Sequence, residues 1–258
     1  MYSKNLSLVF LLISTFTIPQ ANAFLGVTKK ALSAISINTR TLPENEIIRL
    51  SKLSDKTLGT KNIGLELGKL NLPNDALEDV FIRIAIHQKK ITREAAERMF
   101  SNLSGVPGFG STLRKVIGNN KAGTAGHLNE LIISNTASAN GFKVLGIGQK
   151  FSDGLKKSPT DIDVLLKKDG RKFAIEAKNY ASTTKMPLDK FRGDLDTLVA
   201  YKKSNGDNIT PVFTITNKPD DSKHLKMLIR ESNKRGVQII FGKPQEQVEQ
   251  IKMLGNIL

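Results

Sequence analysis

The chain has 258 residues, with 39 Lys and Arg against 24 Asp and Glu, a formal charge of +15 and 39% hydrophobic residues. Such a surface concentrates polyanions such as nucleic acid, anionic lipid or acidic glycan around it, and the apolar fraction suffices for an ordinary globular core. The absence of cysteine excludes a disulfide framework, thiolate catalysis and Cys-ligated zinc, and the three histidines, His87, His127 and His224, are too scattered to suggest a histidine metal cluster.

Residues 1–23 read as a secretory signal peptide: Lys4, an apolar stretch from Leu6 to Ile18, and a small-residue cleavage site at Ala21-Asn22-Ala23. The apolar stretch is shorter than the roughly 20 residues that span a bilayer. The expectation is therefore export, secreted or periplasmic, with no stable membrane insertion after cleavage. Residues 24–120 read as a small all-α region. Asn74 is expected to cap a helix in which Leu77, Val80, Phe81 and Ile84 recur at helical spacing, and Thr92 to cap the next. The break Gly105-Val106-Pro107-Gly108-Phe109-Gly110 leads into a helix with Leu113, Val116 and Ile117, and Gly118 to Gly123 reads as a boundary.

From residue 121 to 258 the pattern alternates. Thr124 to Asn140 reads as a helix stopped by Gly141, and Phe142–Ile147, Ile162–Leu166 and Lys172–Lys178 read as strands. Pro187 opens a helix whose Leu188, Phe191, Leu195 and Leu198 share a face; Ile209–Thr216 and Val237–Phe241 are strands on either side of a helix from Asp220 to Lys234. This order predicts an α/β (α+β) fold with a mixed sheet flanked by helices.

The most informative stretch runs from Thr160 to Lys178. Asp169-Gly170 suits a two-residue type I′ turn, in which both central residues need positive φ. That register pairs Leu166 with Phe173, Val164 with Ile175 and Ile162 with Ala177 on an apolar face, and Leu165 with Ala174 and Asp163 with Glu176 on the other. Two opposed carboxylates, with Cβ atoms on the order of 5 Å apart, repel each other, and a divalent cation between them removes the repulsion. Hard oxygen ligands suit Mg²⁺ or Mn²⁺, which also bind substrate phosphate. Lys178, two residues beyond Glu176, projects from the same face, where it can neutralise charge on a reacting phosphate or position a water. The similar string Pro219-Asp220-Asp221-Ser222-Lys223 sits at a helix start and reads as a cap.

Asp163, Glu176, Ala177 and Lys178, with the helix, three strands, helix, strand order from about Gly123 to Phe241, resemble the PD-(D/E)XK (restriction-endonuclease-like) nuclease superfamily. The resemblance implies an αβββαβ core in which Asp163 and Glu176 bind the metal, Lys178 is catalytic, and Glu130 on the preceding helix completes the metal site. The proline is displaced, since Pro159 precedes Thr160-Asp161. Asp161 therefore stays open beside Asp163, which the register favours. The resemblance also places Lys185, Lys190 and Arg192 near a scissile phosphate, as nucleic-acid-binding residues; a solvated helix face stays equally open. Val106-Pro107-Gly108-Phe109-Gly110 resembles a helix-hairpin-helix phosphate loop, although a Gly/Pro linker is preferred.

The expected function is an exported metal-dependent nuclease, with DNA the favoured substrate and RNA left open, acting as a toxin, scavenging enzyme or effector. The alternatives are an exported nucleic-acid-binding protein that keeps the fold without catalysis, and a basic protein that binds anionic lipid or glycan. An immunity partner and a homodimer both stay open.

Overall fold

The computed structural model describes residues 42–57, 60–69, 71–152 and 159–256, so the expected signal peptide lies outside the described residues. Five helices come first: α1 (Glu44–Thr57), α2 (Thr60–Gly68), α3 (Asn74–His87), α4 (Arg93–Leu103) and α5 (Phe109–Gly118). They are followed by α6 (Lys121–Ala139), β1 (Lys143–Phe151), β2 (Thr160–Lys168), β3 (Arg171–Lys178), α7 (Leu188–Asn205), β4 (Ile209–Ile215), α8 (Ser222–Lys234), β5 (Gln238–Phe241) and α9 (Pro244–Asn256). No described helix is long and apolar enough to cross a membrane.

The first five helices bury one apolar side each, with Ile47, Leu50, Ile63, Val80, Ile84, Met99, Leu103, Leu113 and Ile117 enclosed. Thr92 caps α4 as expected, its hydroxyl accepting from the Ala95 amide at 3.3 Å. Asn74 does not cap α3. Pro73, in an extended conformation, is the capping residue and has no side-chain bond to offer; its carbonyl takes the Leu77 amide at 3.0 Å and closes the first turn. The glycine-rich break is fastened to the sheet: the Pro107 carbonyl accepts from the Ile147 amide at 2.9 Å and from Gln149 Nε2 at 3.1 Å. Gly108 has φ of 90°, and a Cβ there would lie 1.8 Å from the Ile147 carbonyl oxygen. The loop is thus a joint between helices and sheet.

The expected boundary at residue 120 falls on the N-cap of α6, inside a unit that runs from Pro43 to Leu258. Asn120 accepts from the Gly123 amide at 2.9 Å, which starts the helix at Lys121 instead of Thr124. Gly141, at φ of 79°, ends it, with the Phe142 amide reaching back to Ala137 O at 3.0 Å.

The five strands form one mixed sheet in the order β1-β2-β3-β4-β5. β1, β2 and β3 run antiparallel, and β3, β4 and β5 parallel. Successive strand side chains point to opposite faces, so Phe173 and Ala174 look in opposite directions. Phe173 meets Phe142 edge to face, at 5.9 Å between ring centroids. Ala174 packs instead with Phe191, Leu195 and Leu198 of α7 and Phe213 of β4. Helices therefore cover both faces, with α6 lying against β1, β2 and β3, and α7 against β3 and β4. The expected helix and strand order is found.

The final helix, α9, had no counterpart in the sequence reading. Its signals are local: Pro244 opens it, Glu246 accepts from the Lys243 amide at 2.7 Å, and Val248 and Ile251 are buried.

Candidate functional site

The hairpin forms in the expected register over its turn half. Asp169 and Gly170 have φ of 49° and 80°, and Lys168 pairs with Arg171, Leu166 with Phe173, Leu165 with Ala174 and Val164 with Ile175. There the ladder between β2 and β3 ends. β1 still pairs with β2 as far as Phe151 and Thr160, and β3 with β4 as far as Lys178 and Ile215. The two central strands therefore part after Val164, and Asp163 and Glu176 are not a ladder pair as expected. The Asp163 carboxylate replaces the missing ladder bond: its Oδ2 accepts from the Ala177 amide at 2.7 Å.

The parting opens a cleft of about 570 Å³ that side chains from both helical layers reach. Asp161, Asp163, Glu176 and Lys178 come from the strands, His127 and Glu130 from α6, and Lys190, Asp194 and Thr197 from α7. Four expected site residues, Asp163, Glu176, Lys178 and Glu130, are thus brought together. Glu130 and Glu176 are 6% and 7% exposed, an uncommon placement for acids. Glu130 Oε1 lies 2.9 Å from His127 Nδ1. Behind Glu130, Asn129 accepts from the Thr216 hydroxyl at 3.3 Å, and Thr216 also donates to the Lys178 carbonyl at 3.2 Å. This chain of bonds ties α6 to the end of β3.

The acids crowd one another. Burial raises the Asp163 carboxyl well above the usual carboxylate range, and the charges of Glu176 and Glu130 push the same way, against Lys178 and the Ala177 amide. Burial lifts Glu176 to about 7, with Lys178 pulling down and Asp194 pushing up. For Lys178 burial acts downward, but the carboxylates of Glu176, Asp163 and Asp194 outweigh it and hold the amine raised and charged. Its ammonium bonds to Glu176 Oε1 and lies 3.3 Å from Asp194 Oδ2. Five acidic side chains thus line the cleft with Lys178 and Lys190; burial holds Asp163 and Glu176 toward the protonated form, and the cleft is still short of positive charge inside a basic protein.

Asp161 and Asp163 separate clearly. Asp161 sits further out, 3.8 Å from Lys115 Nζ, while Asp163 faces Glu176 and Glu130 electrostatically. Of the three cations expected beside a phosphate, Lys190 lines the cleft. Lys185 instead pairs with Asp221 at 2.6 Å, and Arg192 donates through Nε to buried Glu231 at 3.0 Å. Asp221 caps α8 as expected, accepting from the amides of Lys223 at 2.9 Å and His224 at 3.0 Å. His127, Asp194 and Thr197 were not singled out from the sequence. His127 stands three positions before Glu130 and was legible as a helical neighbour; Asp194 had no local signal.

Comparisons with family models, with curated proteins and with solved structures gave no match. Among the described residues no three or more acidic or histidine side chains are arranged to hold a metal ion. Mg²⁺ asks for less, since it usually takes one or two carboxylates and keeps several waters. Asp163 and Glu176 bring hard carboxyl oxygens into the same cleft, the donor type such a cation takes.

Proposed function

We propose that the chain is a metal-dependent nuclease that hydrolyses phosphodiester bonds, in DNA before RNA, and that it is exported as a toxin, scavenging enzyme or effector. The observation that carries this reading is the convergence of Asp163, Glu176 and Glu130 with the Lys178 ammonium in one cleft short of positive charge. The element order around a mixed sheet supports the likeness to the PD-(D/E)XK superfamily. Asp163 and Glu176, with Glu130 behind them, would hold Mg²⁺ or Mn²⁺. The metal would lower the pKa of a bound water and polarise the phosphoryl oxygen. Asp163 holds its carboxylate in place through the Ala177 amide, so one ligand is oriented before any cation arrives. The Lys178 ammonium, released from Glu176, would stabilise charge building on the phosphate or steer the attacking water. Water adds to phosphorus, the ester P–O bond breaks, and the leaving oxygen takes a proton.

A second reading, a nucleic-acid-binding protein without catalysis, is favoured by the bond of Lys178 to Glu176, which occupies a prospective metal ligand. Plasmid, linear, single-stranded and RNA substrates decide between the two. The nuclease cleaves DNA with Mg²⁺, stops in EDTA, and loses at least about 100-fold in rate in Lys178→Ala and Glu176→Ala. Equal cleavage by wild type and Glu176→Ala would end the proposed mechanism, and salt-sensitive binding without cleavage would favour the second reading.

A further inference from the structure

At the turn end of the hairpin, away from the cleft, three lysines stand side by side across three strands. Lys143 of β1 is the register partner of Lys167 of β2, and Lys167 is the partner of Lys172 of β3. Opposed residues point to the same face, and alternation places Lys167 with Leu165 and Asp163, and Lys172 with Ala174 and Glu176. The row therefore shares a face with the cleft carboxylates. Lys143 and Lys167 are exposed and Lys172 half-buried.

Like charges directly opposite each other weaken a sheet, and these three have no acidic partner within ion-pair distance among the described residues. Asp169 in the turn and Asp207 just before β4 pair with none of them. At the usual strand spacing the row spans about 10 Å. It lies about 13 Å from Asp163, four residues along β2. A duplex carries one charge per about 1.7 Å of axis, so several phosphates fall within reach of flexible lysine side chains.

We infer that Lys143, Lys167 and Lys172 form a phosphate-backbone track that holds nucleic acid beside the cleft; the inference deepens the nuclease reading and rests on it. The track offsets the repulsion that the acidic cleft imposes on the same polyanion. A membrane surface is disfavoured because, among the described residues, the exposed large apolar residues, Ile48, Leu65, Ile132, Ile229 and Met253, all lie on helices and not on the strands that carry the row.

The test uses the full chain in EDTA with a fluorescent 30-base-pair duplex, measuring Kd against NaCl concentration. The triple variant Lys143→Gln, Lys167→Gln, Lys172→Gln loses about 2 to 3 from the log–log salt slope, near 0.9 for each phosphate contact. A control removing equal charge elsewhere, Lys52→Gln, Lys218→Gln, Lys226→Gln, keeps the slope to within about 1. Thermal melting of the row variant no lower than wild type shows that the fold is intact. Equal slopes in the two variants, no DNA binding by wild type, or a row variant that loses only binding to phosphatidylserine vesicles would each overturn the track. Failure of the nuclease reading looks different: wild type would not cut plasmid with Mg²⁺, while the row variant would still lose its slope in EDTA.

Discussion

Glu176 shows what the cleft costs the protein. Its folded pKa of about 7 lies above the ordinary 4.5, so the folded state keeps a proton that the unfolded chain gives up. Stability therefore falls as pH rises from about 4.5 to 7 and levels off above, by on the order of 1–3 kcal/mol. Thermal unfolding in EDTA across that range should show the decline for wild type and a flatter profile for Glu176→Gln. Identical profiles would remove Glu176 as its source. Asp163→Asn offers a cleaner separation of fold from function. Its amide oxygen can still accept the Ala177 amide now held at 2.7 Å, while the charge that opposes Glu176 and Glu130 disappears. The variant should melt at the same temperature or higher than wild type without metal, and lose cleavage by at least about 100-fold. A lower melting temperature would mean that the carboxylate is structural.

At the level of elements, two glycines carry different duties. Gly170 has φ of 80° with nothing near its missing Cβ, so Gly170→Ala costs only backbone strain, about 1 kcal/mol. Gly108→Ala must also push Cβ away from a carbonyl oxygen 1.8 Å off, detaching the α5 joint from β1 at a cost of about 3 kcal/mol or more. Urea unfolding should rank them in that order, and equal losses would mean that the joint yields freely. The hairpin was legible because turn chemistry and period-two alternation are local. Asp169-Gly170 sets the register, and Asp163, Glu176 and Lys178 follow by counting. The parting of β2 and β3 was not legible, because it depends on how each strand pairs with its outer neighbour. Nor was the bond of Arg192 to Glu231 legible, since that partner lies on a helix 39 residues further along. Asp194 enters the cleft only because α7 crosses the sheet. The α9 signals at Pro244 and Glu246 are local, by contrast, and lie in the sequence itself.

Over the whole molecule, charge is distributed against the average. The chain is +15, yet Glu130, Asp161, Asp163, Glu176 and Asp194 gather in one cleft. On the proposed reading, a polyanion would be drawn to the basic surface and would meet these acids at the cleft. Neutralising the cleft with Glu130→Gln, Asp163→Asn and Glu176→Gln should therefore tighten metal-free DNA binding several-fold at low salt, an effect that shrinks as the Debye length falls below about 10 Å. Fluorescence anisotropy in EDTA measures it, and weaker binding by the variant would place the DNA elsewhere. The early end of the β2–β3 ladder has one more consequence. Because the backbone is already separated at Asp163, a ligand can meet the cleft acids without first parting β2 from β3. Stopped-flow mixing should accordingly give one exponential whose rate grows in proportion to ligand concentration, and a plateau would reveal a gate.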